Sequence, residues 1–408
     1  MSSQTQNQRP VLVIGAGPVG MIAALALHSL GVPAAIMEAE PQERIRPGSR
    51  AIYIHNATLK LMELIKPGLG FTLAKHGLTW PVKRTLFQGK EVYRKAYPAP
   101  PPNELPAFTS LAQVEIERHL YQACLDAGVE FIWNTPVKQV KTAEGGVTLT
   151  TDSGAEWTAP YIIGADGSRS VVRQELGIKL VGPRSSDSFL VVDVKEDPDN
   201  PLPLERTFHY KHPEMGGRNV LYVPFTGGWR IDLQLLEGDN PERFGGVDGV
   251  RKWLPKVMDP KYAERITWVS TYQFYQAVAD SYTDVNRRVL LVGEAAHLFA
   301  PFGARGLNSG VPDALLSARA IAAALEADDR AKAEQVILAA ASERQFAAEY
   351  NRDCAGIALE HIQGSSHYMN TKRELAASLS SIVPGLGRWL DEGPYGPRTN
   401  HVKMSTKY

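Results

Sequence analysis

Val11-Leu-Val-Ile-Gly-Ala-Gly-Pro-Val-Gly20 decides the fold. Val11 to Ile14 has the length and composition of a buried parallel strand, and it runs straight into Gly15-x-Gly17-x-x-Gly20. Met21 to Leu30 is patterned as a helix, Gly31 punctuates it, and Ala34 to Met37 is a second strand ending at Glu38. Strand, glycine turn, helix and strand within about 30 residues form a βαβ-type unit that binds a dinucleotide. Gly15 permits the tight turn, Gly17 lets the backbone approach a pyrophosphate, and Gly20 lets helix pack on strand. The pyrophosphate would meet the free N–H groups of a helix N-terminus. Glu38 can accept hydrogen bonds from a ribose 2′-OH and repels a 2′-phosphate, so NADP is a poor occupant here. A lone glycine motif is weak evidence; this one has its strand, helix and acid in place.

Outward from this unit the chain alternates in character. Pro47 to Arg50 begins a polar turn, and Leu59 to Ile65 is patterned as a helix. Trp80 to Pro106 alternates polar and apolar residues and ends proline-dense. A helix is expected from after Ser110 to about Ala127, with Gly128 as its stop. Strands follow at Val129–Trp133, Val137–Lys141, Val147–Thr151 and Trp157–Ile163. Phe189 to about Thr271 is mostly strand, with a hairpin at Thr226-Gly-Gly228 and a helix over Gly249–Val257. A parallel-type strand returns at Arg288–Val292, and helix patterns run from Pro312 to about Ile362. Pro312 suits a first helical turn, and the Gly- and Pro-rich tail after Pro384 is expected to be irregular.

Two further motifs separate FAD from NAD, and they do so by resemblance. Ile163-Gly-Ala-Asp-Gly167, with Ser170 and Arg173, resembles a motif of the single-component flavin hydroxylases. Gly293-Glu-Ala-Ala-His297, Pro301, Gly303-Ala-Arg-Gly-Leu-Asn308 and Asp313 resemble the same family's second motif and its flavin-contacting loop. The family is the FAD-dependent aromatic hydroxylases of the para-hydroxybenzoate hydroxylase fold, and the resemblance covers roughly residues 10 to 350. It implies an α/β fold: a discontinuous Rossmann-like FAD-binding domain (1–75, 107–183 and 285–355), an inserted β-sheet substrate domain (76–106 and 184–284), and a C-terminal helix with an irregular tail (356–408).

The resemblance also implies roles. Gly15, Gly17 and Gly20 hold the FAD pyrophosphate, Glu38 the adenosine ribose, and Arg50 lies near the pyrophosphate. Gln113 lines the site. Asp166 serves FAD and nicotinamide binding, and Glu294 meets the ribityl chain. Pro301, Gly306, Leu307 and Asn308 face the isoalloxazine ring, with a helix N-terminus near its O2 side. FAD is non-covalent, NADH or NADPH is the co-substrate, and no metal is needed. The implied reaction adds one oxygen of O2 to a small phenolic, aminoaromatic or heteroaromatic ring through a C4a-hydroperoxyflavin. With no second dinucleotide fingerprint in the sequence, nicotinamide would bind transiently. A moving flavin would use space at Gly48 and at Gly303–Asn308. The family usually has Asp where Glu294 stands, and Gly and Gln where Ala304 and Arg305 stand.

The substrate side is less determined. Pro301, Tyr210, Tyr222 and Arg305 are the candidate catalytic residues, with Tyr272 and Tyr275 as further ring contacts. For each tyrosine, sheet packing is the more frequent role. Arg305 puts a charge near the flavin or stands as a solvated loop residue. Arg230, Asp232 and Gln234 share one face of a strand by alternation, and the sequence leaves open which way that face looks. His297 is more often a structural histidine than a base, and Cys124 and Cys354 are packing residues.

The bulk numbers agree. In 408 residues, 44 Lys plus Arg balance 44 Asp plus Glu, which gives no basic excess for nucleic acid. Two distant cysteines offer neither a disulfide framework nor a zinc site, and a cytoplasmic setting fits. No signal peptide or membrane span is legible, and a homodimer is one option for assembly. The alternatives are a flavin dehydrogenase or reductase and a degenerate FAD-binding protein. A flavin halogenase is disfavoured because W-x-W-x-I-P is missing.

Overall fold

The computed structural model describes residues 10–44, 48–101, 103–364 and 366–397, with only the backbone at 184–187. Its centre is a five-stranded parallel sheet in the order Val289–Leu291, Ile162–Gly164, Val11–Ile14, Ala34–Met37, Glu130–Ile132. The four strands other than the edge strand Glu130–Ile132 are short and largely buried on both faces, so their sequence is continuously apolar rather than alternating. Helices Pro18–Ser29 and Arg305–Glu326 cross one another closely because glycines meet Val19. A Cβ on Gly310 would stand 2.5 Å from the Val19 side chain.

Beside this lies a seven-stranded sheet in the order Ile266–Tyr275, Arg184–Lys195, Gly228–Leu235, Arg218–Phe225, Glu205–His212, Val82–Phe87, Lys90–Ala96. Every pairing is antiparallel except that of Val82–Phe87 with Glu205–His212. Strands from the stretches 76–106 and 184–284 thus hydrogen-bond within one sheet. Both of its faces are covered. One packs on helix Gly246–Trp253 through Trp229, Ile231, Leu233 and Trp253. The other faces the parallel-sheet domain and the C-terminal helices.

Several expected elements differ. Trp157–Ile163 is two strands, Glu156–Ala159 in an antiparallel three-stranded sheet and Ile162–Gly164 in the parallel one. Pro160 separates them, having no N–H to carry a ladder through. The helix expected from Pro312 begins at Arg305 and carries Pro312 inside it. It ends at Glu326, and Asp329 caps a second helix, Arg330–Gln363, by accepting the Lys332 N–H at 2.8 Å. The tail is not irregular from Pro384. Pro384–Glu392 is a helix with proline in its first turn, where no N–H is required. Leu386, Trp389 and Leu390 recur at helical spacing and pack with Phe87, Phe208 and Tyr210.

Candidate functional site

The glycine turn at the carboxyl end of Val11–Ile14 is too tight for any side chain. Gly15 has φ +106°, and a Cβ there would lie 2.5 Å from the Ala165 carbonyl oxygen. A Cβ on Gly20 would lie 2.0 Å from the Gly15 oxygen. Helix Pro18–Ser29 opens from Gly17 with no side-chain cap and no acid in its first turn. Its leading N–H groups are therefore available to an anion. Glu38 closes over the turn, accepting Ala16 N–H at 2.7 Å and Glu40 N–H at 3.1 Å. Arg44 and Trp133, which the sequence did not single out, join here. The Arg44 guanidinium donates to the Ala16 carbonyl at 2.7 Å and lies 5.0 Å over the Trp133 ring.

Asp166 follows strand Ile162–Gly164. Its Oδ2 accepts Val172 N–H at 3.0 Å, and its Oδ1 is buried without a partner among the described residues. Burial pushes this carboxyl up, against hydrogen bonds from Ser170 and the backbone that favour the charged form. Glu294 is reached by solvent yet ringed by protein, the position of a side chain lining a deep cleft. That crowding raises its carboxyl above the ordinary range, opposed by His297 and Arg50.

The segment at 48–51 is pinned from three sides. Ser49 donates its N–H to Asp193 Oδ2 at 2.6 Å and its hydroxyl to Asp193 Oδ1 at 2.7 Å. Gln113 donates its N–H to the Ser49 carbonyl at 2.9 Å and accepts Ala51 N–H at 3.3 Å. Arg50 has φ +46°, uncommon for a residue with a Cβ, and its carbonyl accepts Arg230 Nη1 at 2.5 Å. The space expected at Gly48 is filled: a Cβ there would meet the Trp268 ring at 2.5 Å. Pro47 lies outside the described residues.

Across the cleft, Pro301 is exposed, and its carbonyl accepts Ala304 N–H at 3.0 Å. Helix Arg305–Glu326 then begins from Ala304 in a left-handed conformation, with no capping side chain and no acid in its first turn. A Cβ on Gly306 would meet nothing within 4 Å, and Leu307 packs into the parallel-sheet core. Asn308 stitches the turn to strand Tyr53–His55, donating to the Tyr53 carbonyl at 2.8 Å and accepting His55 N–H at 3.0 Å. The 48–51 segment meets the sheet at Asp193, Arg230 and Trp268, whose ring lies 6.0 Å from that of Tyr272; burial raises the Tyr272 phenol, with the charges of Arg230, Arg50, Glu294 and Asp193 acting on it as well.

Three candidate catalytic residues are not at that place. Arg305 is neither a solvated loop residue nor a charge facing the cleft. Its guanidinium donates to Asn351 Oδ1 at 2.7 Å and to the Tyr395 and Pro397 carbonyls at 3.0 and 2.7 Å. Tyr222 pairs with Ile231 and packs with the helix Gly246–Trp253 side of the sheet, away from the cleft. Tyr210 is on the near side, but its hydroxyl is fully buried, donating to the Leu390 carbonyl at 2.8 Å beside His361 at 3.1 Å. Burial pushes its phenol far up and His361 down to about 4. Tyr275 is exposed.

His297 is structural. Its Nε2 meets Asp313 Oδ2 at 2.8 Å, and Arg344 donates to Asp313 Oδ1 at 2.7 Å. Burial raises the Asp313 carboxyl, but Arg344 and His297 outweigh it and hold the group below its usual range. Asp313 also accepts Gly293 N–H at 3.2 Å, fixing the turn that carries Glu294. Among the described residues, no group of His, Cys, Asp and Glu could hold a metal, and no helix is long and apolar enough to cross a membrane. A separate cleft of about 570 Å³ beside Val11, Gly31 and Pro33 lies at the amino ends of the strands. Open α/β sheets bind ligands at the carboxyl ends, so it is not the dinucleotide site.

A family model described as an FAD binding domain matches residues 8–352. The para-nitrophenol 4-monooxygenase of Pseudomonas sp. (strain WBC-3) is 27% identical over 330 residues, covering 78% of each chain. The dialkyldecalin synthase of Streptomyces rugosporus is 27% identical over 314 residues, covering 75% of this chain and 63% of its own. This chain therefore spans less than two thirds of that second relative. Among solved structures, p-nitrophenol 4-monooxygenase PnpA from Pseudomonas putida DLL-E4 superposes with a TM-score of 0.76 at 22% identity, covering 96% of this chain and 99% of its own. At that identity the likeness shows the fold alone.

Proposed function

The chain belongs to the FAD-binding domain family, and from that premise we propose that it is an FAD-dependent monooxygenase that hydroxylates a small aromatic ring with O2 and NAD(P)H. One observation carries the reading. Glu294 from the Gly293 turn, Arg50 from the 48–51 segment and Tyr272 from the seven-stranded sheet lie within electrostatic reach of one another, and helix Arg305–Glu326 starts uncapped. Relatives named as aromatic monooxygenases support it, while the synthase relative shows that a protein of this kind can carry another name.

The residues present suit FAD. The Gly15 and Gly20 turn admits no Cβ, the first helix is uncapped, and Asp166 Oδ1 is an orphaned buried acceptor. Gly15, Gly17 and Gly20 would hold the pyrophosphate, Glu38 the adenosine ribose and Glu294 the ribityl hydroxyls. Arg50, Gln113 and Asp166 would shape the middle of the site. Pro301, Gly306, Leu307 and Asn308 would border the ring. Bound FAD supplies two-electron transfer from nicotinamide and the activation of O2. Glu294 keeps the acceptor chemistry of the shorter acid usual there, one methylene further out. The uncapped N-terminus of helix Arg305–Glu326 would present N–H groups to negative charge on a bound flavin ring. Phe302 packs edge-on to Phe189 and Phe274 at 5.0 and 5.7 Å, an apolar wall that excludes water. Pro301 remains a proposed cleft residue, while Tyr210, Tyr222 and Arg305 are given no catalytic part. A cytoplasmic location and a homodimer belong to the same proposal.

The test is a screen of phenols, aminobenzoates and pyridinols for stimulated NAD(P)H oxidation, with mass analysis of products. Gain of one oxygen supports the reading. Retained FAD with no stimulation by any aromatic would favour a binding or non-oxidative role, and turnover without O2 would favour a dehydrogenase.

A further inference from the structure

Strand register divides the cleft-facing side of the seven-stranded sheet into rows. Arg230 stands beside Asp193 in the first, and the 48–50 segment lies on them through Ser49 and Arg50. Gln234 stands beside Phe189 in the third, covered by Phe302 and by the end of helix Arg330–Gln363, whose Ile362 carbonyl accepts Asn219 Nδ2 at 2.7 Å. The row between them runs through Leu221, Asp232, Val191 and Ser270. Of these four only Asp232 is charged, and it is 5% exposed.

Asp232 Oδ1 accepts Arg230 Nε at 2.6 Å. Among the described residues, its Oδ2 takes no hydrogen bond. The guanidinium is therefore matched by Asp232, with Asp193 across the ladder as a second counter-charge. A matched buried pair has no charge left to offset a third. A ring carboxylate placed over this row would face the carboxylates of Asp232, Asp193 and Glu294 against the guanidiniums of Arg230 and Arg50, a surplus of negative charge. A ring hydroxyl or amino group would instead donate to Oδ2 and leave the charge unchanged.

We propose that Asp232, held by Arg230, receives the hydroxyl or amino hydrogen of the aromatic substrate, and that the site selects uncharged phenols and anilines over ring carboxylates. This rests on the hydroxylase reading of the cleft. It is tested by titrating the FAD-loaded full chain with matched ligands: 4-methylphenol against 4-hydroxybenzoate, and 4-methylaniline against 4-aminobenzoate. Perturbation of the flavin absorbance is the readout. The uncharged member of each pair is expected to bind at least about tenfold tighter, equivalent to about 1.4 kcal/mol. In Asp232→Asn the guanidinium loses its closest counter-charge, and the ratio is expected to fall by about tenfold or more. Carboxylates binding as tightly as their partners in the parent protein would overturn the proposal. So would an unchanged ratio in D232N. Should D232N lose FAD, Arg230→Gln gives the opposite test: its ratio must rise, and an unchanged or lower ratio overturns the proposal. If no aromatic of either class perturbs the flavin, the hydroxylase reading itself fails and takes this inference with it.

Discussion

Asp193 ties the sheet to the segment that carries Arg50, and the strength of that tie is open to measurement. Asp193 and Ser49 are each 2% exposed, and two hydrogen bonds of 2.6 and 2.7 Å join them. A hydrogen bond to a charged acceptor contributes about 1.5 to 3 kcal/mol. Ser49→Ala removes the hydroxyl bond and keeps the backbone one, so a loss of about 1.5 to 3 kcal/mol is expected. Asp193→Ala removes both, orphans two buried donors and strips Arg230 of one counter-charge. A loss of about 3 to 5 kcal/mol is expected, as for breaking a buried pair. Urea unfolding measures both, and FAD titration reports whether the loosened segment weakens the cofactor. The double variant decides the matter. With Asp193 gone, the Ser49 hydroxyl has lost its partner, so adding Ser49→Ala should cost little more and the coupling should approach the whole Ser49→Ala effect. Additive losses within about 0.5 kcal/mol would show the two residues to be independent and refute the tether.

Arg305→Ala should cost about 2 to 4 kcal/mol in urea unfolding while leaving the FAD dissociation constant within about threefold, because its hydrogen bonds hold the C-terminal segment rather than the cleft. Tyr222→Phe should leave substrate-stimulated turnover within about twofold, since that ring packs on the far face of the sheet; a loss of about tenfold or more would return it to the site. Arg344 and His297 outweigh burial and hold the Asp313 carboxyl pKa in the folded protein below its ordinary range. Its stabilising contribution is therefore present above the unfolded value of about 3.9 and is lost as pH falls through the lower folded value. The Asp313→Asn protein should show a smaller loss of stability than the parent when acidified below about pH 4, measured by urea midpoints across pH.

The parallel-sheet half of the molecule was legible because its signals are local. A strand, Gly15 to Gly20, a helix and Glu38 follow one another, and only glycine fits the turn. The inserted sheet was legible as strands but not as faces. Arg230, Asp232 and Gln234 alternate with Trp229, Ile231 and Leu233, yet all of them are buried. Alternation separates two sides without saying which one meets the cleft when both are covered. Tyr222 was misplaced for that reason, whereas Tyr210 is on the cleft-facing side and is closed off by the C-terminal helices, whose Leu390 carbonyl takes its hydroxyl. Asp193 carries a signal of its own in the sequence: an acid within the apolar run Phe189-Leu-Val-Val-Asp-Val194 needs a buried partner. Arg305 and Ser49 depend on contacts made by distant segments, which spacing along the chain does not encode. The tail misled through composition, since Pro384 starts a helix as readily as it ends one.

The central claim is that this cleft couples FAD, nicotinamide and O2 to an aromatic ring. Anaerobic stopped-flow at the flavin absorbance, with NAD(P)H and an aromatic that perturbs the flavin, followed by admission of O2 and mass analysis, tests it most directly. The account predicts reduction at least about tenfold faster with the aromatic than without, a barrier change of about 1.4 kcal/mol, and a product heavier by one oxygen after aeration. FAD that is retained and reduced at the same rate with and without every aromatic tried, yielding H2O2 and no oxygenated product, would contradict it.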